Sequence, residues 1–269
     1  MPRRTAVLRR NSRAEPLTQT EPAKTAEAAR EPSSCIICGG RTFRPAGVSN
    51  GYNIFGCTNC GFHFVYPLPS LEEIAAIYEK YSSNVLYSAK AERKVVRAMK
   101  QIRRYLHAKP GARFIDFGCN IGTGVEAALR LGLEAYGVDI DEESVGIARK
   151  EYPAGHYHAG AVESLPEDWK DFDFAFMIEV IEHLPDPHAY FEAMRTRLKP
   201  GALLYLTTPD AGHWRVPKEF PTWQEVFPPQ HIHYFTRTAM QHFLPAHGFE
   251  IVRFVWSPKT RLKVLARKL

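Results

Sequence analysis

The sequence has no apolar run long enough to cross a bilayer, which takes about 20 consecutive apolar residues in a helix. No self-similarity recurs at a fixed period, which excludes a solenoid or a propeller. No secretory signal pattern opens the chain, so a cytoplasmic protein is expected. Cysteine is scarce, with five residues in two close pairs plus the single Cys119. Without a secretory signal, such pairs predict metal ligands rather than disulfides. Large apolar residues are almost missing from residues 1–34, which are rich in Arg, Glu, Ala, Thr and Pro. Such a segment cannot bury enough surface to offset its ordering entropy, so a disordered tail is expected there. What remains is ordinary globular material, 45% hydrophobic overall in 269 residues. That is enough for one α/β domain and a small appended module. The formal net charge of +6 gathers at the ends, as at Arg3, Arg4, Arg9, Arg10 and Arg13. Charge placed this way is a weak pointer to a polyanion partner and more simply keeps a chain soluble, so nucleic acid is not the expected partner.

Residues 35–66 read as a compact unit. Cys35-Ile-Ile-Cys38-Gly and Cys57-Thr-Asn-Cys60-Gly are two C-x-x-C-G knuckles separated by residues 39–56. The spacing fits the C-x₂-C-x₁₅₋₂₀-C-x₂-C pattern of zinc sites. Four thiolates close a tetrahedral shell, so Cys35, Cys38, Cys57 and Cys60 predict structural zinc in a zinc ribbon. Loss of the metal should then unfold mainly the ribbon. Short strands are expected at Tyr52–Phe55 and Phe62–Tyr66.

Residues 67–109 form a helical linker in this reading. Ser70 and Glu73 have capping-box spacing, and Leu71, Ile74, Ile77, Tyr78 and Tyr81 follow at helical intervals. A second helix is expected from Ala89 to Leu106. From residue 110 onward strands and helices alternate. Strands are expected at Phe114–Phe117, Glu134–Val138, His156–Ala159, Phe172–Ile178, Leu203–Thr207 and Phe249–Trp256. Helices are expected at Val125–Leu131, Glu142–Glu151, Pro187–Leu198 and Thr236–His247, and Leu262, Val264 and Ala266 alternate in a last strand. Repeated βα units predict a Rossmann-like, seven-stranded, mostly parallel sheet over residues 110–269, with helices on both faces.

Between the first strand and helix of this domain lies Phe114-Ile-Asp-Phe-Gly118-Cys-Asn-Ile-Gly122-Thr-Gly124. Glycines let the backbone turn tightly and approach a ligand. Asp139 ends the second strand, near the ~20-residue offset at which an acid can reach ribose hydroxyls. The same residues also suit a purely structural turn, with Asp139 capping the next helix. The dinucleotide fingerprint fails in register, because Asn120 and Thr123 occupy the later glycine positions.

The loop fits better the D-x-G-x-G-x-G pattern of class I S-adenosylmethionine-dependent methyltransferases, which the stretch from Pro110 onward resembles. The resemblance is closest to the branch holding the ubiquinone-biosynthesis O-methyltransferases. It rests on Asp116-Phe-Gly-Cys-Asn-Ile-Gly122, Gly137-Val-Asp-Ile-Asp141, Phe172 to Pro187 and Leu198 to Pro209. It implies that Asp116 and the backbone of Gly118, Cys119, Asn120 and Gly122 hold the methionine part of S-adenosylmethionine. Asp139 would take the ribose and Ile140 the adenine. Ala161 stands where relatives carry an acid, which leaves Glu163 or the backbone for the adenine contact. Asn120 replaces the middle glycine, and Asn tolerates left-handed geometry better than most residues.

Glu179-Val-Ile-Glu182-His183 follows the fourth strand. If the chain turns helically there, Glu179, Glu182 and His183 share one face, suited to a divalent cation or a general base. Relatives with an E-x-x-E-H cluster imply a metal site, which His231 would complete. Glu179 and Glu182 can equally serve the cofactor and the helix cap, with His183 only packed. Residues 210–230 form a long loop with Trp214, Phe220, Trp223 and Phe227, expected to wall the acceptor pocket or to pack over the sheet edge. The expected activity is methyl transfer to a small molecule, at oxygen or else at carbon, with His183, Glu182 and His231 as the catalytic group. An RNA methyltransferase docking through its ribbon and a non-catalytic adaptor are the alternatives. The absence of an Asn/Asp-Pro-Pro-Tyr loop argues against the first, and the intact Gly118, Gly122 and Asp139 argue against the second.

Overall fold

A computed structural model of the chain describes residues 31–70, 72–74, 90–107 and 109–269. The expected tail and the expected contacts of Leu71, Ile77, Tyr78 and Tyr81 fall largely or wholly outside these residues. The chain opens with β1 (Phe43–Ser49), β2 (Tyr52–Cys57) and β3 (His63–Val65). The capping box forms, with Ser70 N donating to Glu73 Oε2 at 2.9 Å and Glu73 N donating to Ser70 Oγ at 3.1 Å. After it, α1 (Ala91–Gln101) continues into a π-helical turn at Ile102–Leu106. There follow β4 (Arg113–Phe117), α2 (Thr123–Leu129), β5 (Glu134–Asp139), α3 (Glu142–Glu151) and β6 (His156–Ala159). The chain then forms β7 (Phe172–Ile178), α4 (Pro187–Arg197), β8 (Leu198–Pro209) and β9 (His233–Tyr234). It ends with α5 (Arg237–Ala246), β10 (Phe249–Phe254) and β11 (Arg261–Lys268).

Seven strands form one sheet in the order β10-β11-β8-β7-β4-β5-β6. All neighbours from β8 to β6 run parallel, and β11 is antiparallel to both β8 and β10. The central strands read as continuous apolar runs because both faces are covered. Phe114, Ile115, Phe117, Phe176 and Met177 are fully buried. On one face Val95, Ala98 and Ile102 pack with Ala127, Ala128 and Val145, and on the other Phe191 and Met194 pack with Phe243 and Phe249.

The second sheet is antiparallel, in the order β1-β2-β3-β9. Its fourth strand comes from the loop after β8, so the Cys-rich unit and the large domain share a sheet. Phe64 pairs with His233, and Val65 N donates to Ile232 O at 2.9 Å. Phe55, Phe62 and Phe64 belong to the same apolar cluster as Met177, Phe235 and Met240. The long loop packs against the second sheet and also borders a cavity. Phe220, Trp223 and Val226 bury against Ile54, Val65 and Tyr234, while Arg215, Gln224 and Glu225 line a cavity.

Candidate functional site

The carboxyl ends of β4, β5 and β7 converge on the glycine-rich loop, where open α/β sheets hold ligands. Gly118 (φ +78°), Asn120 (φ +47°) and Gly122 (φ +78°) all take left-handed backbone, so Asn120 does replace a glycine conformationally. Close packing also demands the glycines. A Cβ on Gly118 would overlap Val180, one on Gly122 would sit 2.9 Å from Ala148 Cβ, and one on Gly124 would overlap the Asp116 carboxylate.

Asp116 lies buried beneath this loop, and its Oδ1 has no hydrogen-bond partner. Burial, reinforced by the nearby Asp139 charge, pushes its carboxyl up to about 8. Asp139 ties the loop down, with Oδ2 accepting from Asn120 N at 2.8 Å and Oδ1 from Asp141 N at 3.0 Å. Each carboxylate oxygen keeps a further lone pair for a ligand. Capping of α3 falls to Asp141, which accepts from Glu143 N at 3.1 Å, so Asp139 is not spent on it. Ile140 is 61% exposed beside it, an apolar surface open to a flat ring. Glu163 stands exposed at the rim. Cys119 is assigned a place in the loop by its backbone, and its side chain leaves the backbone free for that. Its thiol is buried against Gly137, so only its backbone faces the hollow. Sequence reasoning missed Tyr190. Its phenol is pushed up, first by burial and then by the Asp139, Glu163 and Asp116 charges, so it stands near these three acids.

Beyond β7 the helical expectation fails at Glu179. This residue ends the strand with φ +56°, and only Ile181–His183 form a 3-10 turn. The Glu179 carboxylate accepts from Thr207 Oγ1 at 2.7 Å and pairs with Arg261 at 3.1 Å, so it is committed to those partners. What does assemble is Glu182, His183 and His231, whose ligand atoms lie within 4.8 Å of one another. Glu182 is fully buried. Its Oε2 accepts from Thr208 Oγ1 at 2.9 Å, and its Oε1 has no partner. Burial, then the Glu179 charge, pushes its carboxyl well up. His183 Nδ1 donates to Gln230 O at 2.9 Å, and His231 Nδ1 donates to Glu225 O at 2.7 Å. This tautomer follows from the carbonyl acceptors and leaves both Nε2 lone pairs free. Burial, then His231, lowers His183 to about 4, so it is neutral at physiological pH. Val180 joins the two regions, because it packs where Gly118 has no Cβ.

The cysteines form a third cluster. Cys35 Sγ is 3.8 Å from Cys60 Sγ, and Cys38 Sγ is 3.6 Å from Cys57 Sγ. Tetrahedral zinc with bonds of ~2.3 Å sets sulfurs about 3.8 Å apart, so the four thiols fit that metal. Cys119 lies outside the group.

This strand order, with one reversed strand and a glycine loop over a buried acid, defines a Rossmann-like cofactor-binding domain. A family profile described as "Methyltransferase domain" matches residues 88–253, and the chain belongs to that family. A ubiquinone biosynthesis O-methyltransferase of Xanthomonas campestris pv. campestris (strain B100) is 32% identical over 160 residues. That alignment covers 56% of this chain and 63% of the relative, so the chain spans less than two thirds of such relatives' length. Among solved structures, the 1,6-didemethyltoxoflavin-N1-methyltransferase of Burkholderia thailandensis is similar with a TM-score of 0.55. It is 20% identical, over 84% of this chain and 99% of that one. The magnesium protoporphyrin IX methyltransferase of Synechocystis PCC 6803 has a TM-score of 0.52 at 17% identity, over 70% and 88% of the two chains. At these identities the structural likeness concerns the fold.

Proposed function

We propose that this chain is an S-adenosylmethionine-dependent methyltransferase that methylates an oxygen of a small-molecule acceptor. The observation that carries the reading is the left-handed loop of Gly118, Asn120 and Gly122 over buried Asp116, tied down by Asp139 and joined through Val180 to the Glu182, His183 and His231 cluster. A carboxyl buried under the glycine loop offers a pyrophosphate no positive partner, whereas it regains its negative charge beside a ligand bearing ammonium and sulfonium charge. Asp116 and the Gly118 to Gly122 backbone, with Cys119 and Asn120, hold the methionine part. Asp139 takes the ribose hydroxyls, and Ile140 and Glu163 border the adenine.

When bound, S-adenosylmethionine supplies a methyl group activated by its positive sulfur. The protein's part is to align the acceptor oxygen and to relieve it of its proton. Two imidazoles with free Nε2 atoms, each fixed by a backbone carbonyl, and a buried carboxylate form a donor set for a divalent cation. A cation held by Glu182, His183 and His231 would lower the acidity barrier of the acceptor hydroxyl. Without one, His183 Nε2 itself is placed to accept the proton. Glu179 orients Arg261 and Thr207 beside this group. Cys35, Cys38, Cys57 and Cys60 hold structural zinc.

A mass-shift screen of metabolite extracts with labelled cofactor identifies the acceptor. His183→Ala should then lower turnover about 100-fold or more, while calorimetric affinity for S-adenosylhomocysteine stays near wild type. Chelation that spares the ribbon zinc should abolish turnover, and a divalent ion should restore it. Turnover that withstands chelation but falls in His183→Ala assigns the histidine as a base. Wild-type turnover in His183→Ala overturns both roles.

A further inference from the structure

A cavity of about 410 Å³ opens beside the candidate site, lined by Arg215, Gln224, Glu225, Lys259, Thr260 and Arg261. That volume lies in the range of small-molecule pockets. Two contacts tie it to the proposed reaction centre. The Glu225 carbonyl in its wall fixes His231, and Arg261 reaches Glu179 at the end of β7. Its walls come from the loop after β8 and from the segment entering β11, where Arg261 pairs with Pro209.

The charge in this cavity is unbalanced. Arg261 is paired with Glu179 at 3.1 Å. Arg215 lies over the Trp214 ring at 4.6 Å and donates from Nη1 to Pro258 O at 2.9 Å, and neither contact neutralises a cation. Among the described residues no carboxylate forms an ion pair with Arg215 or Lys259. Glu225 is the acid in the lining. The Lys263 ammonium on β11 is pushed down by burial and then by Arg261 and Arg97, with Lys259 adding and Glu179 opposing. Trp214 is 77% exposed and stacks on His213, an open aromatic face at the cavity's edge.

We propose that the acceptor is an anion whose carboxylate or phosphate group docks between Arg215, Lys259 and Arg261, with its body toward the Glu182, His183 and His231 cluster. The inference rests on the methyltransferase reading and names its substrate class. An oxyanion placed there offsets crowded positive charge in a half-enclosed site. The guanidinium forks of Arg215 and Arg261 suit its planar or tetrahedral oxygens.

The test is calorimetric titration of the full chain saturated with S-adenosylhomocysteine. The probes are 3,4-dihydroxybenzoate, phenyl phosphate and the neutral 3,4-dihydroxybenzamide. At least one anion should bind about tenfold tighter than the amide, and more weakly as salt rises. The carboxylate and phosphate arms tell which oxyanion is preferred. Arg215→Ala/Lys259→Ala should erase the advantage while leaving S-adenosylhomocysteine affinity unchanged, which also certifies the fold. Arg215→Lys should retain part of it. Equal binding of anions and amide, or an advantage that survives the double variant, overturns the proposal. Failure of the wild-type chain to bind S-adenosylhomocysteine overturns the methyltransferase reading instead.

Discussion

Asp116 carries a measurable signature of its position. Its carboxyl is raised to about 8 by burial and by Asp139, far above an unfolded carboxylate. The stability associated with the neutral acid is therefore complete below about pH 4 and declines as pH rises toward about 8. Asp116→Asn should raise the melting temperature at pH 8, with the gain shrinking to near zero by pH 4 to 5, and it should weaken S-adenosylmethionine binding. A melting difference independent of pH would remove the buried-acid account. Gly124 offers a second case in which magnitudes oppose. Alanine favours a helix by about 1 kcal/mol over glycine, yet its Cβ would overlap the Asp116 carboxylate. We expect Gly124→Ala to lose more than about tenfold in S-adenosylhomocysteine affinity by calorimetry. Asp116, Gly118, Gly122 and Asp139 could be found in the sequence because a turn that approaches a ligand needs those residue types close together. Tyr190, Thr208 and Arg261 could not. Each acquires its role from partners far away in the chain, as Arg261 does from Glu179 and Thr208 from Glu182.

Most elements of the large sheet were legible because they are apolar and bounded by turn residues, although β6 is only four residues with none buried. α3 and β7 fall where the periodicity places them, and the closing alternation does form β11. β1 and β9 were missed for physical reasons. β1 contains Pro45 and Gly47 with a bulge between them, and β9 is two residues long and exists by pairing with β3. The turn at Glu179 was misread because its spacing suits a helix, while the register with Thr207 holds the residue at the strand end. Thr236 joins the second Cys-x-x-Cys turn to α5. Its Oγ1 donates to Cys60 O at 2.6 Å and accepts from Ala239 N at 3.1 Å at the start of α5. Thr236→Val keeps the volume and loses both bonds, so it should cost about 1–3 kcal/mol in urea unfolding. A loss under about 0.5 kcal/mol would show that water replaces them.

At the scale of the whole molecule, shared β-structure changes the expected effect of metal loss. The sequence alone suggests that removing zinc unfolds a self-contained ribbon. In the structure the ribbon sheet includes β9, two residues after His231, and the same loop supplies the carbonyls that fix His183 and His231. Cys57→Ser/Cys60→Ser should therefore lose one zinc by elemental analysis. It should also lose amide-exchange protection across residues 225–236, with turnover falling in parallel. Zinc retained in that variant would exclude the four-cysteine site, and protection confined to its normal level in 225–236 would show the two units to be independent.

The sheet shared at β3 and β9 also bears on how this chain can exchange parts with its relatives. A graft of another Cys-rich module would have to reproduce the edge that pairs Phe64 with His233 and a carbonyl for Thr236. It would also need a carbonyl where Ile36 O now meets His188 Nε2 at 2.7 Å. A recombination junction at residue 88, where the family match begins, would cut across all of these contacts. The units that can be inherited or shuffled intact are therefore not the ones that the spacing of cysteines and glycines marks out along the chain.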